Sequence, residues 1–258
     1  MNPEEVSISV QGLSHAYGDR IVLDAIDLRV RRGEFFGFLG QNGAGKSTAI
    51  RALCGFLDPW KGEIRVAGVD VVKNPADVRR HIGILSEDIA LYDRLTGAEF
   101  LEFAGQMHGL SATEAVRRSA DLLKRLDLQH ASTRPIGGYS LGMRKKTAFA
   151  AALIHSPEVL FLDEPFNGVD AASTRKLCAI LKWLSTEKGV TIFFTSHVLE
   201  MAERLCDRIA ILHNGRLMRD APMAELKQDA ARQGASLEEI YLKLTGASED
   251  VDPQLNWF

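Results

Sequence analysis

Apolar and polar residues alternate along the first third of the chain, a pattern that is typical of strands with one buried face. The alternation covers residues 7–10 and 25–30, and a continuous apolar run follows at residues 34–39. That run ends at Gly40, and apolar residues then recur at helical spacing over residues 48–57. The pattern therefore predicts two half-buried strands, a third buried strand, a glycine-rich turn and a helix.

Strand and helix patterns occupy separate blocks of the remaining sequence. Further strands are predicted at residues 62–66, 69–72, 82–85, 159–162, 191–195 and 208–212. Further helices are predicted at residues 98–107, 111–128, 142–154 and 172–188, and from residue 224 onward. Ser111 and Glu114 have the spacing of a capping box at the start of one of these helices. Strands that alternate with helices indicate an α/β fold with a covered parallel sheet, here interrupted by a block of helices.

Composition narrows the class of protein. The chain has 258 residues, of which 46% are apolar and 25% charged, as in a globular protein with a packed core. Its net charge of −3 argues against a protein that bulk positive charge holds on nucleic acid. Cys54, Cys178 and Cys206 are far apart and lack metal-ligand spacing, so they predict free thiols in a reducing compartment and no zinc site.

Membrane-spanning and secretory patterns are not found in this sequence. The longer apolar stretches, such as residues 148–154, are far short of the roughly 18 residues that a spanning helix needs. Residues 1–10 are acidic and alternating, and they do not have the basic-then-apolar order of a signal segment. We therefore expect a soluble cytoplasmic protein that reaches a membrane only by docking to a partner that spans it.

The turn after the third strand has the composition of a phosphate-binding loop. Glycines at fixed spacing are followed by Lys46 and Ser47, which is the pattern Gly, four residues, Gly-Lys-Ser. Backbone N–H groups and the positive end of the next helix would face the phosphates, with Lys46 at the β- and γ-phosphates and Ser47 at Mg²⁺. The predicted ATP-binding residues of this loop are Gly40, Gln41, Asn42, Gly43, Ala44, Gly45, Lys46, Ser47 and Thr48. The structural alternative is a glycine turn before a helix.

Two adjacent carboxylates follow the apolar strand at residues 159–162. Asp163 and Glu164 would be costly to bury without compensation, and a bound metal supplies it. We predict that Asp163 holds Mg²⁺ and that Glu164 acts as the general base for the water that attacks the γ-phosphate. The alternative is a helix N-cap, because Pro165 suits a turn.

The order of these segments resembles the ATP-binding subunit of an ABC transporter over residues 8–245. The resemblance implies a P-loop NTPase (RecA-like) core sheet with an antiparallel β subdomain and an inserted all-helical subdomain. The implied boundaries are residues 1–87 and 156–223 for the core with its β subdomain, 88–155 for the helical subdomain, and 224–258 for a helical tail.

Site residues outside the two motifs come from the same resemblance. Tyr17 is at the position of an aromatic that stacks on adenine, although a surface tyrosine is the alternative. His197 matches a histidine that contacts the γ-phosphate, which makes Lys46, Glu164 and His197 the predicted catalytic residues. Residues 139–143, Tyr-Ser-Leu-Gly-Met, stand where the family has its signature sequence. The predicted contacts to the ATP of a second subunit are Ser140, Gly142 and Met143, and Ser140 would also cap a helix.

Three positions depart from the usual family pattern or vary within it. Leu141 replaces a glycine of the signature, so the contact in trans must rely on Ser140 and Gly142. Met143 replaces a glutamine and resembles single-domain ATPases that pair with exporter permeases. Glu87 stands where glutamine is common, and we predict that it serves as a sensor of the permease and an outer Mg²⁺ ligand.

The implied function is ATP hydrolysis in a head-to-tail homodimer, with ATP and Mg²⁺ bound, coupled to export through a separate permease with about six spanning helices per subunit. The expected location is cytoplasmic and peripheral, on the inner face of the cell membrane. No nucleic acid is expected as a partner. An importer ATPase and an ABC-type ATPase that acts on DNA or ribosomes are the alternatives.

Overall fold

The computed structural model describes residues 5–246, which form two sheets flanked by helices. The strands are β1 Val6–Tyr17, β2 Arg20–Arg31, β3 Phe35–Gly40, β4 Lys61–Val66, β5 Val69–Asp70, β6 Ile82–Leu85, β7 Val159–Asp163, β8 Thr191–Ser196, β9 Arg208–His213 and β10 Arg216–Pro222. The helices are α1 Lys46–Leu53, α2 Pro75–His81, α3 Gly97–Met107, α4 Ala112–Arg125, α5 Leu141–Leu153, α6 Ala171–Lys188, α7 Leu199–Leu205, α8 Met223–Gln233 and α9 Leu237–Thr245. Residues 247–258 of the predicted tail lie outside the described residues, as do residues 1–4.

The smaller sheet is antiparallel, with the strand order β2-β1-β4-β5. Ile8 of β1 lies opposite Val30 of β2 and Val66 of β4, and all three side chains are buried. Arg29, Arg31 and Arg65, which flank Val30 and Val66 along their strands, are exposed, as the alternation in the sequence predicts. The predicted antiparallel β subdomain is confirmed.

The larger sheet has the order β10-β9-β3-β8-β7-β6, in which only β10 runs antiparallel to its neighbour. Strands β3, β7 and β8 are buried along their whole length, which explains their continuous apolar sequence. Because neighbouring parallel strands end at the same edge, Leu39 lies opposite Ser196 and Asp163 lies opposite Thr195. The phosphate loop and the carboxylates therefore leave the sheet at the same edge, from the two strands that flank β8.

Helices α3, α4 and α5 lie between β6 and β7 in the chain and pack against one another. Thr96 and Glu99 form a complete capping box at the start of α3. The capping box predicted for Ser111 and Glu114 is only half formed. Ser111 accepts the N–H of Glu114 at 3.2 Å, but the Glu114 carboxylate turns to the guanidinium groups of Arg117 and Arg118. These charge-assisted bonds hold the pKa of Glu114 at about 2.

Helix α1 begins two residues earlier and ends four residues earlier than the apolar spacing predicts. Gly45, with a φ of 111°, turns the chain directly into the helix at Lys46. The helix ends at Leu53, and the left-handed backbone of Gly55, with a φ of 68°, turns the chain away from its axis. The left-handed backbone of these two glycines, and not the spacing of apolar residues, therefore sets where this helix begins and ends.

Candidate nucleotide-binding site

The loop between β3 and α1 wraps around the side chain of Lys46. The ammonium nitrogen Nζ of Lys46 donates hydrogen bonds to the carbonyl oxygens of Gly40 at 2.7 Å and Gln41 at 3.3 Å. The side chain is only 6% exposed, so these bonds compensate part of the cost of burying its charge. The loop therefore presents a fixed positive group at the start of a helix, where anions bind well.

Two glycines of the loop lie where a side chain has no room. A Cβ atom on Gly40 would stand 2.6 Å from the carbonyl oxygen of Leu212, and one on Gly45 would stand 2.7 Å from that of Val22. Gly45 also has a left-handed backbone, which disfavours any residue with a Cβ. Glycine at these positions lets β2 and β9 pack directly against the loop.

Asp163 and Glu164 leave the end of β7 and are both buried. Thr195 on the neighbouring strand β8 bonds to each of them. Its hydroxyl donates to Oδ1 of Asp163 at 2.6 Å and accepts the backbone N–H of Glu164 at 3.2 Å. Thr195 is not among the predicted site residues, although a hydroxyl at the end of a buried strand is a signal because it needs polar partners there.

The carboxylate of Glu164 brings the three predicted catalytic residues together. Its Oε1 atom lies 3.4 Å from Nζ of Lys46 and 3.0 Å from Nδ1 of His197. Glu164 itself adopts a left-handed backbone with a φ of 47°, which is uncommon for a residue other than glycine. Contacts from the phosphate loop and from the segment after β8 therefore fix a buried carboxylate at the mouth of the site.

A cavity of about 350 Å³ opens over these groups. The residues that line it are Tyr17, Arg20, Val22, Asn42, Gly43, Gly45, Lys46, Ser47, Thr48, Glu87 and Glu164. Tyr17 is half exposed, and the edge of its ring packs against His15 with the centroids 4.8 Å apart. Arg20 and Val22 also line the cavity but were not predicted. They reach it because β2 pairs with β1, where Arg20 lies opposite Tyr17. Gly40, Gln41 and Ala44 of the loop do not line the cavity, and the ATP-binding roles of all nine loop residues stay predictions.

Signature residues of this chain lie at the start of α5 and do not line the cavity. Ser140 caps α5, because its hydroxyl accepts the N–H of Met143 at 3.3 Å. The Met143 side chain packs against the hydrophobic core. Leu141 is 57% exposed and rests on Gly168, where a Cβ atom would stand 2.6 Å from Cδ2 of Leu141. Leu141 therefore leans toward the loop before α6, while Ser140 is exposed and Gly142 is partly buried at the helix start.

Donor atoms in the site suit a small hard cation. The residues predicted to hold Mg²⁺ are Ser47, Asp163 and Glu87, and they offer only oxygen donors, the type that Mg²⁺ prefers. Ser47 and Glu87 line the cavity, and Asp163 directly precedes Glu164, which also lines it. The residues present therefore fit the ion.

The fold and the site define a phosphate-loop nucleotide-binding protein. Residues 23–167 match the family model described as ABC transporter. The chain is 39% identical to the daunorubicin resistance ATP-binding protein DrrA3 of Streptomyces coeruleorubidus, over 97% of this chain and 82% of that protein. It is 36% identical to the bacitracin transport ATP-binding protein BcrA of Bacillus licheniformis, over 86% of this chain and 71% of that protein. The chain belongs to the ABC transporter family.

Solved structures agree with this assignment. The fold is similar to that of an ATP-binding subunit of an ABC transporter, with a TM-score of 0.85 and 34% identity over 92% of this chain and 99% of that chain. It is also similar to the dimeric ABC transporter cassette MJ0796, with a TM-score of 0.79 and 25% identity over 84% of this chain and 98% of that chain. The predicted family, P-loop NTPase fold and ATP hydrolase activity are confirmed. Within residues 5–246, no helix is long and apolar enough to cross a membrane.

Proposed function

We propose that this chain is the motor subunit of an ABC exporter and works as a head-to-tail homodimer on a separate permease. The relatives named for daunorubicin resistance and bacitracin transport support export. The observation that carries the dimer is the separation of Ser140 and Gly142 from the cavity of their own chain. The start of α5, which lies outside the cavity of its own chain, is therefore suited to complete the site of a second copy.

In this function, the phosphate loop and Lys46 bind the β- and γ-phosphates, and Tyr17 stacks on the adenine. When Lys46 turns to the phosphates, the carboxylate of Glu164 is released from the ion pair and accepts a proton from the attacking water. His197 keeps that carboxylate oriented and contacts the γ-phosphate. Ser47 and Asp163 would hold Mg²⁺, with Glu87 as an outer ligand, and the bound ion would neutralise negative charge on the phosphates.

Contact with the permease is proposed for an apolar surface formed by α3 and the segment that precedes it. Tyr92, Phe103 and Met107 are 59%, 42% and 71% exposed, and the rings of Tyr92 and Phe103 meet edge to face with centroids 5.7 Å apart. Exposed apolar groups of this size mark interaction surfaces. We propose residues 88–155 as the unit that passes motion to a permease with about six helices per subunit, at the inner face of the cell membrane.

Mixing two inactive variants tests the head-to-tail site. Lys46→Ala removes the phosphate contact in cis. Ser140→Asp keeps a residue that caps a helix but places a negative charge toward the phosphate of the other subunit. Neither variant alone should hydrolyse ATP, whereas an equimolar mixture should recover up to about a quarter of the wild-type rate, because half of the dimers then contain one complete site.

A second mixture serves as the control for this experiment. Lys46→Ala mixed with Glu164→Gln leaves both sites of every mixed dimer defective, because each chain lacks one group that it must supply to its own site. No recovery is expected there. A Lys46→Ala and Ser140→Asp mixture that stays as inactive as its parts would contradict the composite site.

Replacing Glu87 by glutamine should separate hydrolysis from transport. The amide still offers an oxygen to the outer sphere of Mg²⁺, so the ATPase rate is expected to stay within about tenfold of wild type. Stimulation of that rate by the co-purified permease and its substrate should change, because Glu87 is the proposed sensor. Asp88→Asn, in the exposed residue beside it, is the control. Unchanged stimulation in Glu87→Gln would argue against the sensor role.

A further inference from the structure

Lys145 is a buried lysine that the sequence motifs do not explain. It lies on the second turn of α5, five residues after the Ser140 cap, and its side chain is 3% exposed. Lysine is almost never fully buried unless its ammonium has a partner, because its charge is costly to remove from water. Its neighbour Lys146 is only partly buried on another face of the same helix. Lys145 therefore points inward for a reason other than packing.

Its partner is the backbone of Glu164. Nζ of Lys145 donates a hydrogen bond to the carbonyl oxygen of Glu164 at 2.8 Å. Thr195 holds the N–H of the same residue, so the two backbone groups of Glu164 are bonded from opposite sides by α5 and β8. Glu164 needs such support, because its backbone has a φ of 47° and a residue with a Cβ keeps that conformation only when its surroundings fix it.

Charge around Lys145 is consistent with a fixed ammonium group. Burial lowers the pKa of Lys145 below its ordinary value, while the carboxylates of Glu87, Glu164 and Asp163 oppose that shift. The ammonium thus lies among the acidic groups of the site but is bonded to a carbonyl oxygen. This arrangement leaves the Glu164 carboxylate to Lys46 and His197.

We propose that Lys145 is a positioning residue that links the start of α5 to the general base of the same chain. The inference rests on the proposed function, in which Ser140 contacts ATP held by the other subunit. Five residues of helix separate Ser140 from Lys145, a distance of about 7.5 Å. A shift of α5 that follows contact with the other subunit's ATP therefore moves the carbonyl, and with it the carboxylate, of Glu164.

Three variants of Lys145 test this role. Lys145→Met keeps the chain length but removes the donor, and turnover is expected to fall about 10- to 100-fold, since misplacing a catalytic group by about 1 Å costs up to that much. The KM for ATP should change less than about threefold, because Lys145 does not line the cavity. Lys145→Arg keeps a donor and should restore most of the rate. Lys145→Leu, with a shorter side chain that also lacks a donor, should resemble Lys145→Met and replaces it if that variant does not fold. Lys146→Met is the matched control and should hydrolyse ATP normally.

A double mutant separates positioning from a general structural role. In a Glu164→Gln background, Lys145→Met should cause no further loss of turnover, because its effect passes through the base that is already absent. Turnover of Lys145→Met and Lys145→Leu within about threefold of wild type, or an equal further loss in the Glu164→Gln background, would overturn the proposal. If Glu164→Gln itself hydrolyses ATP at the wild-type rate, Glu164 is not the general base. The catalytic part of the proposed function is then wrong, and this inference is wrong with it. If only the Lys145 variants depart from expectation, the proposed function stands.

Discussion

Glu164→Gln is expected to lower the ATP turnover number by about 10²–10⁴-fold, as the loss of a general base does. Glutamine has the shape of glutamate but cannot take a proton from water at neutral pH. The left-handed backbone of residue 164 and its bonds to Thr195 and Lys145 do not involve the carboxylate, so the loop should keep its structure. ATP binding, measured with a fluorescent analogue, should remain. Turnover is measured as phosphate release under saturating ATP.

Glu158→Gln is the control for that variant. Glu158 lies just before the opposite end of β7, where its carboxylate pairs with His81 at 2.9 Å, and it is about half exposed. Removing this negative charge changes the net charge by the same amount without touching the site. Normal turnover in Glu158→Gln with lost turnover in Glu164→Gln would assign the effect to the base. Equal turnover in the two variants would remove Glu164 from that role.

Gly45→Ala should weaken ATP binding about tenfold or more and also lower the stability of the protein. Alanine in a left-handed backbone costs about 1–2 kcal/mol. The added methyl group would meet the carbonyl oxygen of Val22 at 2.7 Å and Cδ2 of Leu23 at 2.9 Å, and such overpacking costs about 1–3 kcal/mol more. Part of this sum of about 2–5 kcal/mol lowers the free energy of unfolding. The rest displaces the loop and weakens ATP binding, at ~1.4 kcal/mol for each tenfold change in affinity. Nucleotide titration and urea unfolding measure the two parts.

Gly109→Ala isolates the backbone part of this effect. Gly109, between α3 and α4, has a φ of 87° and no atom within 4 Å of the position of an added Cβ. The substitution should therefore lower stability by about 1–2 kcal/mol and leave nucleotide affinity unchanged. A Gly45→Ala variant that binds ATP as well as Gly109→Ala would show that the loop tolerates a side chain against β2.

Local features of this fold were predictable from the sequence, and features that depend on packing were not. The phosphate loop combines a buried strand, glycines and Lys46 within a short segment, so its chemistry is visible without a structure. Thr195 and Lys145 act on Glu164 only because β8 pairs with β7 and α5 packs behind them. No spacing in the sequence reveals those contacts.

Strand β10 illustrates the same limit for secondary structure. Arg216–Pro222 form an edge strand in which only one of the seven residues is buried, so the alternation that marks the other strands is weak there. Helix α1 shows the reverse case, in which the apolar spacing is clear but the glycines at its two ends set a shorter helix. Apolar pattern predicts a buried face, whereas backbone geometry and neighbours decide where an element begins and ends.

The ion pair between Lys46 and Glu164 competes with the binding of the nucleotide, because both the carboxylate and the phosphates need Lys46. Oε1 of Glu164 lies 3.4 Å from Nζ of Lys46, so the carboxylate pairs with the ammonium group that the phosphates of ATP must contact. The apparent affinity then equals the intrinsic affinity multiplied by the fraction of time that the pair is open, so a pair closed nine-tenths of the time weakens binding about tenfold. Neutralising Glu164 therefore has two effects of opposite sign: ATP is held more tightly while it is consumed more slowly.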